Sequence, residues 1–468
     1  MRSAWRRLRA VSPTRALGSF LATLSLVAGG LAVHPPARSQ EPPEQRPNIL
    51  IVLSDDQRAT DTMHVMPKTV RFVGEGGTRF DQFYATTPLC CPSRATLLTG
   101  RYAHNHFVQN NLLARNLVQE STLQYYLHRA GYHTAIAGKF LNGWPVRYVK
   151  PPYFDRWVVS HGGYYGKTFN INGTVRRVQQ YSVDFVRDQA VKDLQRFEHD
   201  DDTPWFMYLA PAAPHSPYIA ERRYVHSDVG RWEPSPAVTE EDRTDKPLYV
   251  QQSRQGLTRA GVIRTKQLRT LWSLDDLVGR LDRTLEALRE DDNTLVFFLS
   301  DNGQNWGEHG LNSKRVPYTP AIHVPFFMKW DGHVAAGAVD DRLAGMVDVA
   351  PTVLDAAGLV PDPAYPFDGR SLLEASERSR LLVEHWTQPG KSVPDFASTR
   401  APAFQYIEYY DSNGIVIAQE YYDLAADPWQ LVNLLGDTDP TNDPSPDEIR
   451  ALSEQLRRDR QCKGNACP

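Results

Sequence analysis

Four almost uninterrupted apolar runs of strand length recur along the chain and constrain its fold more than any other feature. Runs that are apolar at nearly every position belong to strands buried on both faces, as in parallel α/β sheets. Helix-forming segments lie between them, and strands that alternate with helices predict an α/β fold with a doubly wound central sheet. The runs are 48–53, 205–209, 294–299 and 324–328, and the clearest helices are 122–130, 184–197 and 267–290.

The sequence changes in character after residue 354. Loops rich in proline and aspartate follow, and then come short strand-like runs at 404–410 and 414–421. This pattern predicts a smaller C-terminal α+β domain built on a short antiparallel sheet. We therefore expect a large N-terminal domain over residues 47–365 and a smaller C-terminal domain over 366–468.

The first forty residues contain six arginines and no acidic residue, around an uncharged stretch at 16–33. This arrangement predicts a signal peptide over residues 1–40 and a secreted, cell-envelope or periplasmic protein without stable membrane insertion. A membrane anchor is the alternative, although glycine, serine and threonine dilute the stretch. Without these arginines 46 basic residues face 55 acidic ones. We expect no nucleic-acid partner, because no block of like charge occurs.

The four cysteines form two pairs, one of adjacent residues and one near the end of the sequence. Adjacent cysteines such as Cys90 and Cys91 seldom bridge one another. Cys462 and Cys467 would close a short loop, which suits an oxidising compartment. The alternative for this second pair is two reduced surface thiols.

Polar residues with similar sequences follow two of the apolar runs. Asp55 and Asp56 come directly after the first run, and Asp301 and Asn302 come after the third. Ligands of open α/β sheets gather beyond the carboxyl ends of the strands, so these side chains would meet at one edge. Oxygen ligands alone favour a hard cation, Ca²⁺ or Mg²⁺, over zinc. Each pair taken singly is also compatible with a turn or a helix cap.

The segment 87–101 has the sequence TPLCCPSRATLLTGR and predicts a helix that begins near Cys90. Pro92 suits the first turn of a helix, and Gly100 suits its end. A helix N-terminus offers backbone N–H groups to an anion, and Arg94 adds a bidentate partner for sulfate or phosphate. These features outline a site for anion transfer.

Cys90-Cys91-Pro92-Ser93-Arg94, followed by Leu97 to Arg101, resembles the sulfatase signature CxPSRxxLLTGR. Further segments with family counterparts follow in order, at 137–144, 213–217, 299–303, 307–314 and 422–428. The chain is thus similar to the type I, formylglycine-dependent sulfatases over nearly everything after residue 46. The resemblance implies the alkaline-phosphatase-like α/β fold.

The resemblance implies a role for each matching position. It makes Cys90 the residue that is oxidised to formylglycine, which requires a formylglycine-generating enzyme as a partner during maturation. It implies a cation, Ca²⁺ with Mg²⁺ as the other possibility. The implied metal ligands are Asp55, Asp56, Asp301, Asn302 and the modified Cys90, and the implied anion-binding and proton-transfer residues are Arg94, Lys139, His215 and Lys314.

One position departs from the pattern of many sulfatases, which carry a histidine two residues after the lysine that matches Lys139. Leu141 stands there, followed by Asn142. The sequence Gly-Lys-Phe-Leu-Asn, like the Cys-Cys signature, is similar to that of sulfatases acting on glucosamine 6-sulfate in heparan-type chains. Asn142, His106 and His309 are weaker candidates for pocket contacts.

The implied reaction is hydrolysis of a sulfate ester of a sugar or an aryl alcohol. One hydroxyl of the formylglycine hydrate would attack sulfur while His215 protonates the leaving oxygen. Loss of a proton from the second hydroxyl would then expel sulfate and regenerate the aldehyde. A phosphonate monoester or phosphodiester hydrolase with the same formylglycine site is the first alternative. A binding protein with an unmodified Cys90 is the second.

Overall fold

A computed structural model of the protein describes residues 46–199 and 203–468. The predicted signal peptide therefore lies outside the described residues. The strands are β1 (Asn48–Ser54), β2 (Thr78–Phe80), β3 (Phe83–Tyr84), β4 (His133–Lys139), β5 (Arg156–Ser160), β6 (Lys167–Ile171), β7 (Thr174–Val178), β8 (Trp205–Ala210), β9 (Thr294–Ser300), β10 (Phe326–Lys329), β11 (Ala338–Asp340), β12 (Ala344–Gly345), β13 (Leu381–His385), β14 (Asp395–Arg400), β15 (Phe404–Tyr410) and β16 (Val416–Asp423).

The helices lie between these strands and after them. They are α1 (Pro67–Thr69), α2 (Cys90–Thr99), α3 (Ala103–His106), α4 (Leu123–Arg129), α5 (Ser182–Phe197), α6 (Leu248–Gln251), α7 (Leu257–Leu288), α8 (Thr319–Ile322), α9 (Val349–Ala356) and α10 (Pro446–Asp459). Across residues 46–199 and 203–468, no helix has the length and hydropathy needed to cross a membrane.

A ten-stranded mixed sheet forms the centre of the fold, in the order β11-β2-β10-β9-β1-β8-β4-β5-β6-β7. The five strands from β9 to β5 are parallel. β10 runs antiparallel to β9, and β6 runs antiparallel to β5. The predicted α/β fold with a doubly wound central sheet is confirmed, and antiparallel pairings extend the sheet on both sides of the five parallel strands.

Helices cover both faces of this sheet, which explains why its central strands are apolar throughout. In β1, Ile49, Ile51 and Leu53 join the cluster formed with α2, α4 and α9. Leu50 and Val52 point to the other face and pack with α5 and α7. Successive side chains of a strand point to opposite faces, so burial on both faces requires an apolar residue at almost every position.

The second sheet is antiparallel, with the order β13-β14-β15-β16, and confirms the predicted short C-terminal sheet. Its apolar face packs in one cluster with Tyr84, Tyr318 and Val347 from segments beside the central sheet. The boundary between residues 365 and 366 stays a prediction.

Candidate active site

The carboxyl ends of β1 and β9 meet because the two strands pair in register, with Ser54 opposite Ser300. The next residues therefore face one another across the edge of the sheet. The backbone N–H of Asp56 donates to Asp301 Oδ1 at 3.2 Å, and Asn302 Nδ2 donates to Asp56 Oδ1 at 2.8 Å. The structure thus brings together the four side chains that the sequence predicts as oxygen ligands at the ends of these two strands.

Helix α2 carries the signature segment and ends as predicted. Gly100 has a left-handed φ of 62°, and a Cβ there would lie 2.7 Å from Phe367 Cδ1, so both backbone and space require glycine. At the other end of α2, the N–H of Cys91 donates to Asn111 Oδ1 at 3.0 Å. Part of the donor capacity of this helix N-terminus is therefore used within the protein.

The Cys90 side chain points into the carboxylate cluster. Its Sγ lies 3.4 Å from Asp55 Oδ1 and 3.9 Å from Asp56 Oδ1, and Lys314 Nζ lies 2.8 Å from the sulfur. Lys139 Nζ donates to Asp55 Oδ2 at 2.6 Å. If residue 90 is formylglycine, the sulfur stands in for the hydroxyl oxygens of its hydrate. An oxygen nucleophile at this position would lie among two carboxylates and two ammonium groups.

Arg94 is fully buried and links three parts of the site. Its Nε donates to Asp301 Oδ2 at 2.8 Å, its Nη1 donates to the carbonyl of Lys139 at 2.9 Å, and its Nη2 lies 3.4 Å from Asp55. Within the described part of the chain Nη2 has no hydrogen-bond partner. A buried guanidinium N–H without an acceptor is costly, and a bound anion would satisfy it.

His215 is the most exposed member of the group, with 34% of its side chain accessible. Its Nδ1 lies 2.8 Å from the carbonyl of Ser216, which can only accept, so Nδ1 carries a proton. Its Nε2 lies 3.7 Å from Asp56 Oδ2 and faces the cluster. Nε2 is therefore the atom that can gain and lose a proton beside a bound ligand.

The cluster is nearly balanced in charge. Burial favours the protonated form of Asp55, but Lys139, His215 and Arg94 outweigh it and hold the pKa of this carboxyl well below its usual range. Burial and the neighbouring Asp55 raise the pKa of Asp301. Burial also raises the pKa of the Cys90 thiol to about 12, although Lys139 opposes this. An unmodified Cys90 would thus be a neutral thiol at neutral pH.

The residues at this edge fit a hard divalent cation. Asp55, Asp56, Asp301 and Asn302 are each at most 4% exposed and offer only oxygen as a metal ligand. Asn302 Oδ1 is buried without a hydrogen-bond partner in the part of the chain that the structure describes. Buried acceptors normally have a partner, and a cation would supply one.

The other residues singled out from the sequence lie around this centre in more ordinary roles. His106 Nε2 contacts Thr96 Oγ1 at 3.0 Å, and His309 Nδ1 contacts Glu240 Oε2 at 2.8 Å, so neither reaches the carboxylate cluster through these contacts. The carbonyl of Asn142 accepts from Cys91 Sγ at 3.4 Å. Leu141 is buried in the core cluster. Cys462 and Cys467 are bonded, with their Cα atoms 5.0 Å apart.

Comparison with known proteins identifies the family. A family model described as Sulfatase matches residues 47–359, well over half of the chain. The chain belongs to the sulfatase family. A second model, described as N-sulphoglucosamine sulphohydrolase, C-terminal, matches residues 307–460 of this sulfatase-family chain.

Individual relatives differ in how much of their length the chain spans. It is 31% identical to the human N-acetylglucosamine-6-sulfatase over 98% of its own length and 92% of that protein. It is 32% identical to an extracellular sulfatase Sulf-1 homologue of Caenorhabditis elegans over 73% of its own length, but spans only 50% of that relative. A protein solved in complex with its substrate D-glucosamine-2-N,6-O-disulfate has the same fold, with a TM-score of 0.77, 24% identity, and 88% of this chain and 97% of that one covered.

Proposed function

We propose that the protein is a sulfuric-ester hydrolase that removes sulfate from a sulfated carbohydrate or an aryl ester, with formylglycine formed from Cys90 and a bound divalent cation. The observation that carries the proposal is that the buried Cys90 Sγ contacts Asp55, Asp56 and Lys314 beyond the carboxyl ends of the parallel strands. Burial raises the pKa of the Cys90 thiol to about 12, and a neutral thiol is a poor nucleophile, which supports the proposed modification of residue 90.

The residues of the chain divide the work of binding and proton transfer. The cation, held by Asp55, Asp56, Asp301 and Asn302, would act as a Lewis acid that polarises a sulfate oxygen and lowers the pKa of a bound hydroxyl. The preferred ion is Ca²⁺, with Mg²⁺ as the other possibility. The modified residue 90 completes the ligand set in this proposal.

Charged side chains around the sulfur would stabilise the transferring group. Arg94 Nη2 has no hydrogen-bond partner among the described residues, Lys314 Nζ lies 2.8 Å from Cys90 Sγ, and Lys139 Nζ donates to the neighbouring Asp55 Oδ2 at 2.6 Å. Fixed cations in a buried site offset negative charge that develops in the transition state. His215 would donate the Nε2 proton to the leaving oxygen, since it is the most exposed member of the cluster, with 34% of its side chain accessible.

The substrate class proposed here is a 6-sulfated glucosamine residue of a glycosaminoglycan. The named relative with the highest coverage is an N-acetylglucosamine-6-sulfatase, and the substrate of the solved neighbour also carries a 6-O-sulfate. We further propose that residues 1–40 direct export and that the enzyme acts outside the cytoplasm, in keeping with the extracellular sulfatase homologue among its relatives.

Mass spectrometry of the peptide around residue 90 tests the nucleophile. Protein purified from its native host should show a loss of about 18 Da at Cys90, because SH and H are exchanged for a carbonyl oxygen. The same preparation should hydrolyse p-nitrophenyl sulfate faster than the phosphate or phenylphosphonate ester of the same alcohol. An unmodified Cys90 would contradict the formylglycine assignment, and faster phosphonate turnover would make the enzyme a phosphonate monoester hydrolase.

A further inference from the structure

Helix α7 places one polar side chain beneath the active site. Gln267 is 1% exposed and lies one helical turn before Leu271, on the face of α7 that otherwise packs into the core. A buried glutamine on an apolar helix face carries a desolvation penalty unless its amide is hydrogen-bonded. Its contacts therefore have a structural or functional purpose.

The Gln267 amide touches three loops that follow strands of the central sheet. Its Nε2 lies 3.3 Å from each of three acceptors, the carbonyl of Asp56 after β1, the carbonyl of Pro214 after β8, and Gln304 Oε1 after β9. Its Oε1 accepts from the indole N–H of Trp306. The two N–H groups of this amide thus lie among three acceptors at the ends of three parallel strands.

Two of these loops carry residues with different tasks in the proposed reaction. Asp56 belongs to the oxygen ligand set and has a left-handed φ of 73°, which is unfavourable for a non-glycine residue and needs support from its surroundings. Pro214 directly precedes His215, whose Nε2 lies 3.7 Å from Asp56 Oδ2. The spacing between the cation ligand and the proton donor therefore depends on how these two backbones are held.

Trp306 in turn fixes the position of the amide. Its ring lies under the guanidinium of Arg58, 4.6 Å from the ring centroid, and its backbone N–H donates to Glu308 Oε2 at 2.5 Å. Arg58 and Glu308 form a buried ion pair at 2.6 Å. Because the indole has a single orientation in this packing, Gln267 Oε1 is bound to it and Nε2 must face the loops.

We propose that Gln267 is a positioning residue that sets the distance between the cation ligand Asp56 and the proton donor His215 through their backbone carbonyls. The proposal rests on the proposed sulfatase function. Gln267 itself contacts neither the sulfur of Cys90 nor a carboxylate of the cluster among its recorded hydrogen bonds. Its removal should alter proton donation and cation binding without removing any reacting group.

The substitution Gln267→Met tests this role because methionine matches the length of glutamine and lacks its hydrogen bonds. Proton donation matters little for a good leaving group such as p-nitrophenolate and strongly for a sugar alkoxide. We expect kcat for N-acetylglucosamine 6-sulfate to fall about tenfold or more, as small misplacements of catalytic groups do. The fall for p-nitrophenyl sulfate should be several times smaller, and KM should change little for either ester.

Gln124→Met is the matched control. Gln124 is also fully buried, lies on α4, and has no hydrogen-bond partner for either amide atom in the described part of the chain. Its substitution should leave kcat for both esters at the wild-type value. The positioning role is refuted if Gln267→Met lowers kcat by the same factor for both esters. It is also refuted if kcat is unchanged for both.

Calcium titration calorimetry of the metal-free proteins gives a second reading that needs no turnover. Gln267→Met should weaken calcium binding several-fold because the backbone carbonyl of Asp56 loses its hydrogen bond from the Gln267 amide. Gln124→Met should bind calcium as the wild type does. Wild-type affinity in Gln267→Met would refute the part of the proposal that concerns Asp56. Absence of sulfatase activity in the wild type would instead refute the proposed function.

Discussion

The buried ion pair of His104 and Glu384 should make stability depend on pH between neutrality and pH 10. His104 Nδ1 lies 2.8 Å from Glu384 Oε2, and its Nε2 lies 3.0 Å from the carbonyl of Cys462. Only the imidazolium form can donate from both nitrogens. Burial opposes this charge, but Glu384 and the hydrogen bonds outweigh it and raise the pKa of His104 to about 9.

The sign and size of the effect follow from this pKa. A group whose pKa is raised from 6.5 to about 9 on folding stabilises the folded protein fully below pH 6.5 and loses that contribution as pH rises through 9. The difference corresponds to about 3 kcal/mol at 1.36 kcal/mol per pH unit. His104→Gln removes the titrating group, so the difference in unfolding free energy between wild type and variant should shrink by about this amount.

Urea unfolding at pH 6, 7.5, 9 and 10, followed by tryptophan fluorescence, measures that difference. His128→Gln is the control, since His128 is 40% exposed and its ion pair with Asp155 has a 3.4 Å separation at the surface. Exposed pairs contribute little, so this variant should track the wild type at every pH. A gap between wild type and His104→Gln that stays constant from pH 6 to pH 10 would show that His104 does not titrate as argued.

Three further predictions concern the active site and its support. Cys90→Ala should lower turnover by at least about a thousandfold, as loss of a nucleophile does, whereas Cys91→Ala should retain activity; the reverse in a p-nitrophenyl sulfate assay would move the nucleophile by one position. Asp301→Ala should abolish both activity and the calcium-induced rise in Tm, and a normal rise in differential scanning fluorimetry would remove Asp301 from the ligand set. Gly138→Ala should destabilise the fold by about 3 kcal/mol, because Gly138 has a φ of 112° and a Cβ there would lie 2.0 Å from the carbonyl oxygen of Ala210; unchanged urea unfolding would contradict this.

The central strands could be predicted from the sequence because burial on both faces leaves an apolar run that few other structures produce. The strand predicted at 324–328 is Phe326–Lys329 and runs antiparallel to its neighbour. Apolar runs carry no information on strand direction, which depends here on the path of the connecting segment 301–325, including the short helix α8. In the same way, the sequence predicts that the ends of β1 and β9 lie at the same edge of the sheet. It does not predict the register, in which Ser54 lies opposite Ser300.

Polar residues inside the protein account for part of what could not be predicted from the sequence. Helix α7 begins at Leu257, ten residues before the predicted start, because the buried Arg264 interrupts its apolar pattern. Strand β14, with the sequence DFASTR, has the buried polar residues Ser398 and Thr399 and was not predicted. A polar residue at a position that continues an apolar helix stripe was the available signal for Gln267.

Some spatial relations within the candidate site could be predicted from a local motif, and others could not. Cys90 and Arg94 lie on one helix, so their relation is fixed by helical geometry and could be predicted. The direct contacts of Lys139 with Asp55 and of Lys314 with Asp56 join segments far apart in sequence. Such contacts depend on the packing of loops, for which a single sequence offers no pattern.

The pairing of β1 with β8 and β9 has a consequence for the order in which the protein is made. A ribosome that has just completed the segment around Cys90 has not yet made residues 205–210 or 294–300, between which β1 inserts. The thiol can therefore be enclosed only after more than two hundred further residues have emerged. During that interval Cys90 belongs to a growing chain without its sheet, whereas in the folded protein the residue is 1% exposed.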